Sequence, residues 1–242
     1  MNNKLLFLDF DGVLFDTIKE VYLVNRYVYK GVDFLEPVKE DEFKRFSKYK
    51  FLAYNIWMFY YYNPILFKNT KEEEILEKYY QCLQNRNLKA EEEFCIELLN
   101  AREKLSKNHY DFWKNLEIPY DFFFEIKKLY EKNNIDIVVA SKKNKNSILE
   151  RFETYGFNLA SDKVFAREFL KNYPSKYDFM LDYMEKNNKT NAIFVDDNMN
   201  NLKNITSPKI KPILALWGNN APGDKGLDQK ETVEEIKTFF NV

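Results

Sequence analysis

The sequence holds one histidine, His109, and two cysteines, Cys82 and Cys95, among its 242 residues. A lone histidine and two thiols without ligand spacing supply neither a zinc set nor a disulfide framework. Both cysteines are therefore read as free thiols of a reducing compartment, and His109 as a hinge residue near the end of a long inserted segment, with no catalytic part. Charge of one sign is also lacking: 37 basic residues face 38 acidic ones, a net charge of -1. That balance removes the general electrostatic ground for holding nucleic acid or an anionic membrane. Long apolar runs are missing too. The most apolar stretch, residues 51–67, contains Asn55, Asn63, Pro64 and four tyrosines. It falls short of the ~20 mainly apolar residues of a membrane span and reads as a buried aromatic helix. At the start, Met1-Asn2-Asn3-Lys4 passes into Leu5-Leu6-Phe7-Leu8, which Asp9 ends too early for a signal peptide. The expectation is a soluble, cytoplasmic protein with no nucleic-acid or membrane partner. Nothing in the sequence fixes an oligomeric state.

Aromatic residues are plentiful, with 22 Phe and 17 Tyr, enough for a substantial core. Apolar runs without polar alternation at residues 4–10, 135–140, 192–195 and 212–216, with a shorter one at 164–166, read as strands covered on both faces. Helical spacing at 119–133, 145–155, 177–186 and 232–240 separates them. Pro119 stands at a plausible first helical position. Alternating strands and helices imply an α/β fold, a doubly wound parallel sheet with a Rossmann-like core. Roughly a hundred residues between the first two strands carry helical patterning alone, as at 71–84 and 90–106. No ordinary connection is that long. The expected division is a core of residues 1–16 and 117–242 and an inserted all-α domain of residues 17–116. The acidic runs at 72–74 and 91–93 are expected as solvated helix starts. The cluster Trp57-Met58-Phe59-Tyr60-Tyr61-Tyr62 is read as the core of the insert, with a substrate-facing surface as the other reading.

Ligands of an open parallel sheet bind beyond the carboxyl ends of its strands. The first expected strand delivers Asp9 and Asp11 to that rim, the second Ser141, and the third Asp196 and Asp197. Lys176 lies between the last two. A carboxylate can attack phosphorus covalently. Attack on a dianion is opposed by charge, which a divalent cation and a lysine offset. Clustered carboxylates make a hard oxygen site suited to Mg2+.

The run Phe7-Leu8-Asp9-Phe10-Asp11-Gly12-Val13-Leu14-Phe15-Asp16-Thr17 resembles the first motif of the haloacid dehalogenase superfamily in its phosphatase form. Ser141 after a hydrophobic strand resembles the second motif, Lys176 in Pro174-Ser175-Lys176-Tyr177 the third, and Phe194-Val195-Asp196-Asp197-Asn198 the fourth. The inserted helices resemble the cap domain of the phosphoglycolate phosphatase and β-phosphoglucomutase branch. The resemblance implies Asp9 as nucleophile and Asp11 as general acid, then general base. It implies that Ser141 and Lys176 hold phosphoryl oxygens. Magnesium would be bound by Asp9, the main-chain carbonyl of Asp11 and Asp197, with Asp196 direct or through water. Three positions depart from the pattern. Val13 stands where Thr is commoner. Tyr177 replaces the usual proline, which leaves Lys171 as a substitute for Lys176. Asn201 replaces a further acid.

The activity implied is hydrolysis of a small phosphorylated metabolite through an aspartyl-phosphate. A phosphomutase of the same chemistry is the nearest rival, disfavoured by the scarcity of histidine. A catalytically silent ligand-binding module is a third reading, and intact acids argue against it. No motif in the insert names the substrate. Asp16 reads as a structural turn residue.

Overall fold

A computed structural model describes residues 3–68, 70–133 and 135–242. Met1 and Asn2, where the reading of the chain's start begins, lie outside the described residues. The chain divides into two units. One takes in the chain up to Asp16 and again from Pro119 to Val242; the other is Thr17–Ile118.

The first unit is built on five parallel strands: β1 (Lys4–Leu8), β2 (Ile137–Ala140), β3 (Val164–Phe165), β4 (Asn191–Asp196) and β5 (Ile210–Leu214), in the spatial order β3-β2-β1-β4-β5. The chain steps outward from β1 to one side, then returns to fill the other, which makes the sheet doubly wound. Leu6 pairs with Ile137 on one neighbour and Ile193 on the other. Alternation along β1 sends Leu6 and Leu8 to one face and Leu5 and Phe7 to the other. On the first face they pack with Phe122, Phe123 and Ile126 of helix Asp121–Asn133, Phe152 of Lys145–Thr154, and Ile236 of Gln229–Phe240. On the second they meet Phe179, Met180 and Tyr183 of helix Lys176–Lys186. Both faces are therefore dry, and the strands read as continuous apolar runs for that reason.

Several boundaries differ from the sequence reading by a few residues, and two of them involve proline. β5 begins at Ile210, earlier than expected, and contains Pro212. It is an edge strand, where a residue without an N–H costs the ladder little. The helix expected from Pro119 starts at Asp121. Pro119 belongs instead to the two-residue strand Ile118–Pro119, and Tyr120 N donates to Leu14 O at 3.0 Å. The helix's first turn is closed by Gln229 Oε1, which accepts from Phe122 N at 2.7 Å.

The second unit is helical, its main helices being Ile18–Lys30, Glu40–Lys48, Phe59–Leu66, Ile75–Gln84 and Leu88–Asn108. The single aromatic helix expected over 51–67 is broken. Short 3-10 turns occupy Lys50–Leu52 and Ile56–Met58, with extended Asn55 before the second, and the α-helix proper is Phe59–Leu66. Met58, Phe59, Tyr61 and Tyr62 lie in the core of this unit. Buried tyrosines are tolerable because their hydroxyls find acceptors: Tyr79 donates to Leu52 O at 2.7 Å and Tyr61 to Glu91 Oε1 at 2.8 Å. Glu91, expected in solvent, is buried, since Tyr61 and the Arg86 guanidinium (Nε to Oε1, 2.8 Å) satisfy it. Glu20, fully buried, is gripped by Arg102 through two hydrogen bonds of 2.7 and 2.9 Å. His109 caps the end of Leu88–Asn108 with its ring edge toward Phe34. Both cysteines are free, and among the described residues no helix is long and apolar enough to cross a membrane.

Candidate active site

Each polar residue singled out on the strand ends follows from where its strand stops. β1 ends at Leu8 and hands on Asp9, whose N–H still donates to Val195 O at 3.0 Å. β4 ends at Asp196, and Asp197 follows. All three carboxylates are buried, and one oxygen from each lies within 4.8 Å of the others. Lys176 begins its helix behind the cap Ser175, whose Oγ accepts from Asp178 N at 3.2 Å. That start aims a buried ammonium into the group: Nζ is 2.7 Å from Asp9 Oδ2 and 2.8 Å from Asp196 Oδ2. Lys171, the substitute, is exposed. Ser141 directly follows β2, buried, with its N–H on Phe165 O at 3.0 Å. Asp11 is the outward member, its side chain 39% exposed, with Lys143 Nζ 3.2 Å from Oδ1.

Three carboxylates buried together, with Lys176 in contact with two of them, leave excess negative charge in a desolvated place. Burial pushes the Asp9 carboxyl up to about 7, opposed by Lys176 and reinforced by Asp196 and Asp197. Burial alone would lower the Lys176 ammonium, but Asp196 and Asp9 outweigh it and leave it above its ordinary value. An all-oxygen, net-negative cluster fits a hard divalent cation, and the donor set is one that could hold such an ion.

Comparisons with known proteins bear on this arrangement. No protein-family model and no curated protein matches the sequence. Solved structures do match along almost the whole chain. A haloacid dehalogenase hydrolase of family IA, variant 3, from Entamoeba histolytica is 18% identical, with 99% of this chain and 100% of that one covered and a TM-score of 0.60. A haloacid dehalogenase-like family hydrolase from Streptococcus pneumoniae is 10% identical, covering 96% and 97%, with a TM-score of 0.59. A protein described as a predicted phosphatase, from Clostridium acetobutylicum, is 13% identical, covering 98% and 100%, with a TM-score of 0.60. The fold is that of the haloacid dehalogenase-like hydrolases.

Within that fold, the structure adds residues that the sequence did not single out. Asn219 donates to Asp197 Oδ2 twice, from its N–H at 2.8 Å and its amide at 3.1 Å. Asn201, noted only as a missing acid, donates its amide to Asp196 Oδ1 at 3.1 Å and Oδ2 at 2.9 Å, and Asn198 N adds 2.8 Å to Oδ1. An aspartate at 201 would bring a fourth negative charge; the amide brings a donor. Lys143, which the sequence reading did not mention, is buried. Asn219 and Lys143 lie 22 and 132 residues from the carboxylates they touch, and Asn201, five residues from Asp196, belongs to no local pattern that marks it as a donor.

Gly12 and Gly218 hold Asp197 between them. Gly12 has φ +79°, and a Cβ there would lie 1.9 Å from Asp197 Oδ2. On Gly218 it would stand 2.3 Å from Asp197 Cβ and 2.5 Å from Gly12 O. Gly12→Ala is therefore expected to displace the Asp197 carboxylate and cost about 2 kcal/mol or more in backbone strain and clash. Urea unfolding checks it.

The raised Asp9 carboxyl also sets a pH dependence. Its folded value, about 7, lies above the 3.8 of an unperturbed aspartate, so the folded state binds the extra proton between them. That contribution to stability is complete below pH ~4 and is lost as pH rises through about 7. Metal-free protein is expected to lose melting temperature from pH 5 to pH 7.5, and Asp9→Asn protein to lack this component, by scanning calorimetry in chelator.

Proposed function

We propose that this protein is a magnesium-dependent phosphomonoester hydrolase of the cytoplasm, acting on a small phosphorylated metabolite through an aspartyl-phosphate on Asp9. The observation that carries the reading is the buried cluster at the strand ends: Asp9 beside Lys176, with one carboxylate oxygen each of Asp9, Asp196 and Asp197 within 4.8 Å of one another. The fold's similarity to hydrolases and to a protein described as a phosphatase supports it.

Asp9 and Asp197, with the main-chain carbonyl of Asp11, would hold the ion. Asp196, whose oxygens already accept from Lys176, Asn198 and Asn201, adds charge directly or through water. When bound, magnesium offsets the phosphoryl charge and withdraws electrons from phosphorus. An Asp9 oxygen attacks phosphorus and the bond to the leaving oxygen breaks. Asp11 gives its proton to that oxygen, so the product leaves as an alcohol. Asp11, now a carboxylate, takes a proton from water as the water's oxygen attacks phosphorus, the Asp9–phosphorus bond breaks and inorganic phosphate is released. Lys176 and Ser141 hold the phosphoryl oxygens, Lys176 from a position fixed by two carboxylates before substrate arrives. Such preorganised charge is generally the largest catalytic contribution.

The test is phosphate release from an aryl phosphate and then from metabolite phosphates, with magnesium and with chelator. Release that needs magnesium supports the reading; a folded protein that binds neither magnesium nor phosphate analogues contradicts it.

A further inference from the structure

Lys143 is a second buried ammonium on the same rim, and the steps above do not use it. Its side chain is 5% exposed. The stem passes Phe10, with Nζ 5.4 Å from the ring centroid, and ends 3.2 Å from Asp11 Oδ1. Its own main chain is fixed at both polar atoms: the N–H donates to Ser141 Oγ at 3.3 Å, and the carbonyl accepts from Arg167 N at 3.0 Å. A buried lysine is costly unless a polar partner meets it, and here the partner is the Asp11 carboxyl group, whose side chain is itself 39% exposed. The lysine is the buried member of the pair, and Asp11 is the more exposed one.

We propose that Lys143 is the positioning residue for Asp11, holding one carboxyl oxygen so that the other is aimed at the leaving-group oxygen. The inference rests on the proposed hydrolase reading. A general acid works only within hydrogen-bond reach of the atom it protonates, about 2.6–3.2 Å, and misplacement by about 1 Å can cost about 10²-fold. A half-exposed aspartate beyond the end of a strand has rotamers that miss. The contact to Lys143 removes them, and the Lys143–Ser141 hydrogen bond ties that aim to the residue expected to hold the phosphoryl group. Lys143 thus acts through Asp11 and not on phosphorus.

The distinction is measurable because protonation matters only for poor leaving groups. kcat/KM, which reports steps up to the first irreversible one, is measured with magnesium for 2,4-dinitrophenyl phosphate and for an unactivated alkyl phosphate. The wild type is compared with Lys143→Met, Lys143→Gln, Lys143→Arg and Asp11→Asn. Lys143→Met or Lys143→Gln, whichever is soluble, should lose about 10²-fold on the alkyl ester and less than about threefold on the dinitrophenyl ester, the same pattern as Asp11→Asn. Lys143→Arg should recover most of the alkyl activity. In the double variant with Asp11→Asn, removing Lys143 should add little, because both act on one proton transfer. Equal losses on both esters would mean that Lys143 binds phosphate or only supports the fold, and would overturn the proposal while leaving the hydrolase intact. No loss on either ester would overturn it as well. A folded wild type inactive on both esters would refute the hydrolase reading itself, and this inference with it.

Discussion

Asp9→Asn is expected to lower turnover by about 10⁴- to 10⁶-fold, the scale seen when a covalent nucleophile is removed. An amide keeps the shape but cannot form the acyl phosphate, so the loss should appear with every phosphate ester and at every magnesium concentration. The fold should survive. Asp9 is buried with two other carboxylates and with Lys176 2.7 Å from its Oδ2, and burial already pushes it up to about 7. Exchanging it for a neutral amide relieves repulsion and leaves Lys176 on Asp196 at 2.8 Å. Metal-free Asp9→Asn should thus melt no lower than wild type at pH 7.5. Magnesium should raise the melting temperature of wild type, as any ligand of the folded state does, and raise that of the variant much less. Loss of activity together with lowered stability would point to a structural part for Asp9 instead.

Lys176→Met is expected to fail in the opposite sense. It removes the ammonium bonded to both Asp9 and Asp196 and leaves three carboxylates buried together. Breaking a buried pair from one side costs about 3–5 kcal/mol, a large share of an ordinary domain's stability. Activity should fall by about 10²- to 10³-fold, the usual cost of losing one preorganised charge contact to the transition state. Magnesium should restore part of the stability because it supplies positive charge to the same oxygens. Denaturant unfolding with and without magnesium separates the two effects.

The strands of the sheet could be read from sequence because helices cover both faces, so that Leu5 to Leu8 and Ile193 to Val195 carry no polar alternation. Their limits were less legible. Pro212 looks like a strand boundary until the strand is known to lie at an edge, and Pro119 looks like a helix start although the chain is still extended there. In the helical unit, the aromatic run concealed two 3-10 turns, because Tyr and Phe satisfy a helical and an irregular core equally well. Glu91 looked solvated since its partners, Tyr61 and Arg86, show no pattern with it. At the site, Asp9, Asp196 and Asp197 stand out because an acid ending an apolar run is conspicuous. Lys143, Asn201 and Asn219 do not, because their meaning lies in the carboxylate each one touches: Asp11, 132 residues from Lys143, and Asp196 and Asp197.

The most direct test of the central claim is to find the phosphoryl group on Asp9. Asp11→Asn protein is mixed with magnesium and 2,4-dinitrophenyl phosphate and quenched in acid, and its peptides are weighed by mass spectrometry. The good leaving group needs no acid, while hydrolysis of the intermediate lacks its base, so the intermediate should accumulate. The account predicts one added phosphoryl group on the peptide carrying Asp9, absent when Asp9 is also replaced by Asn. Dinitrophenol release with no covalent phosphate on that peptide, or with phosphate on another residue, would contradict it.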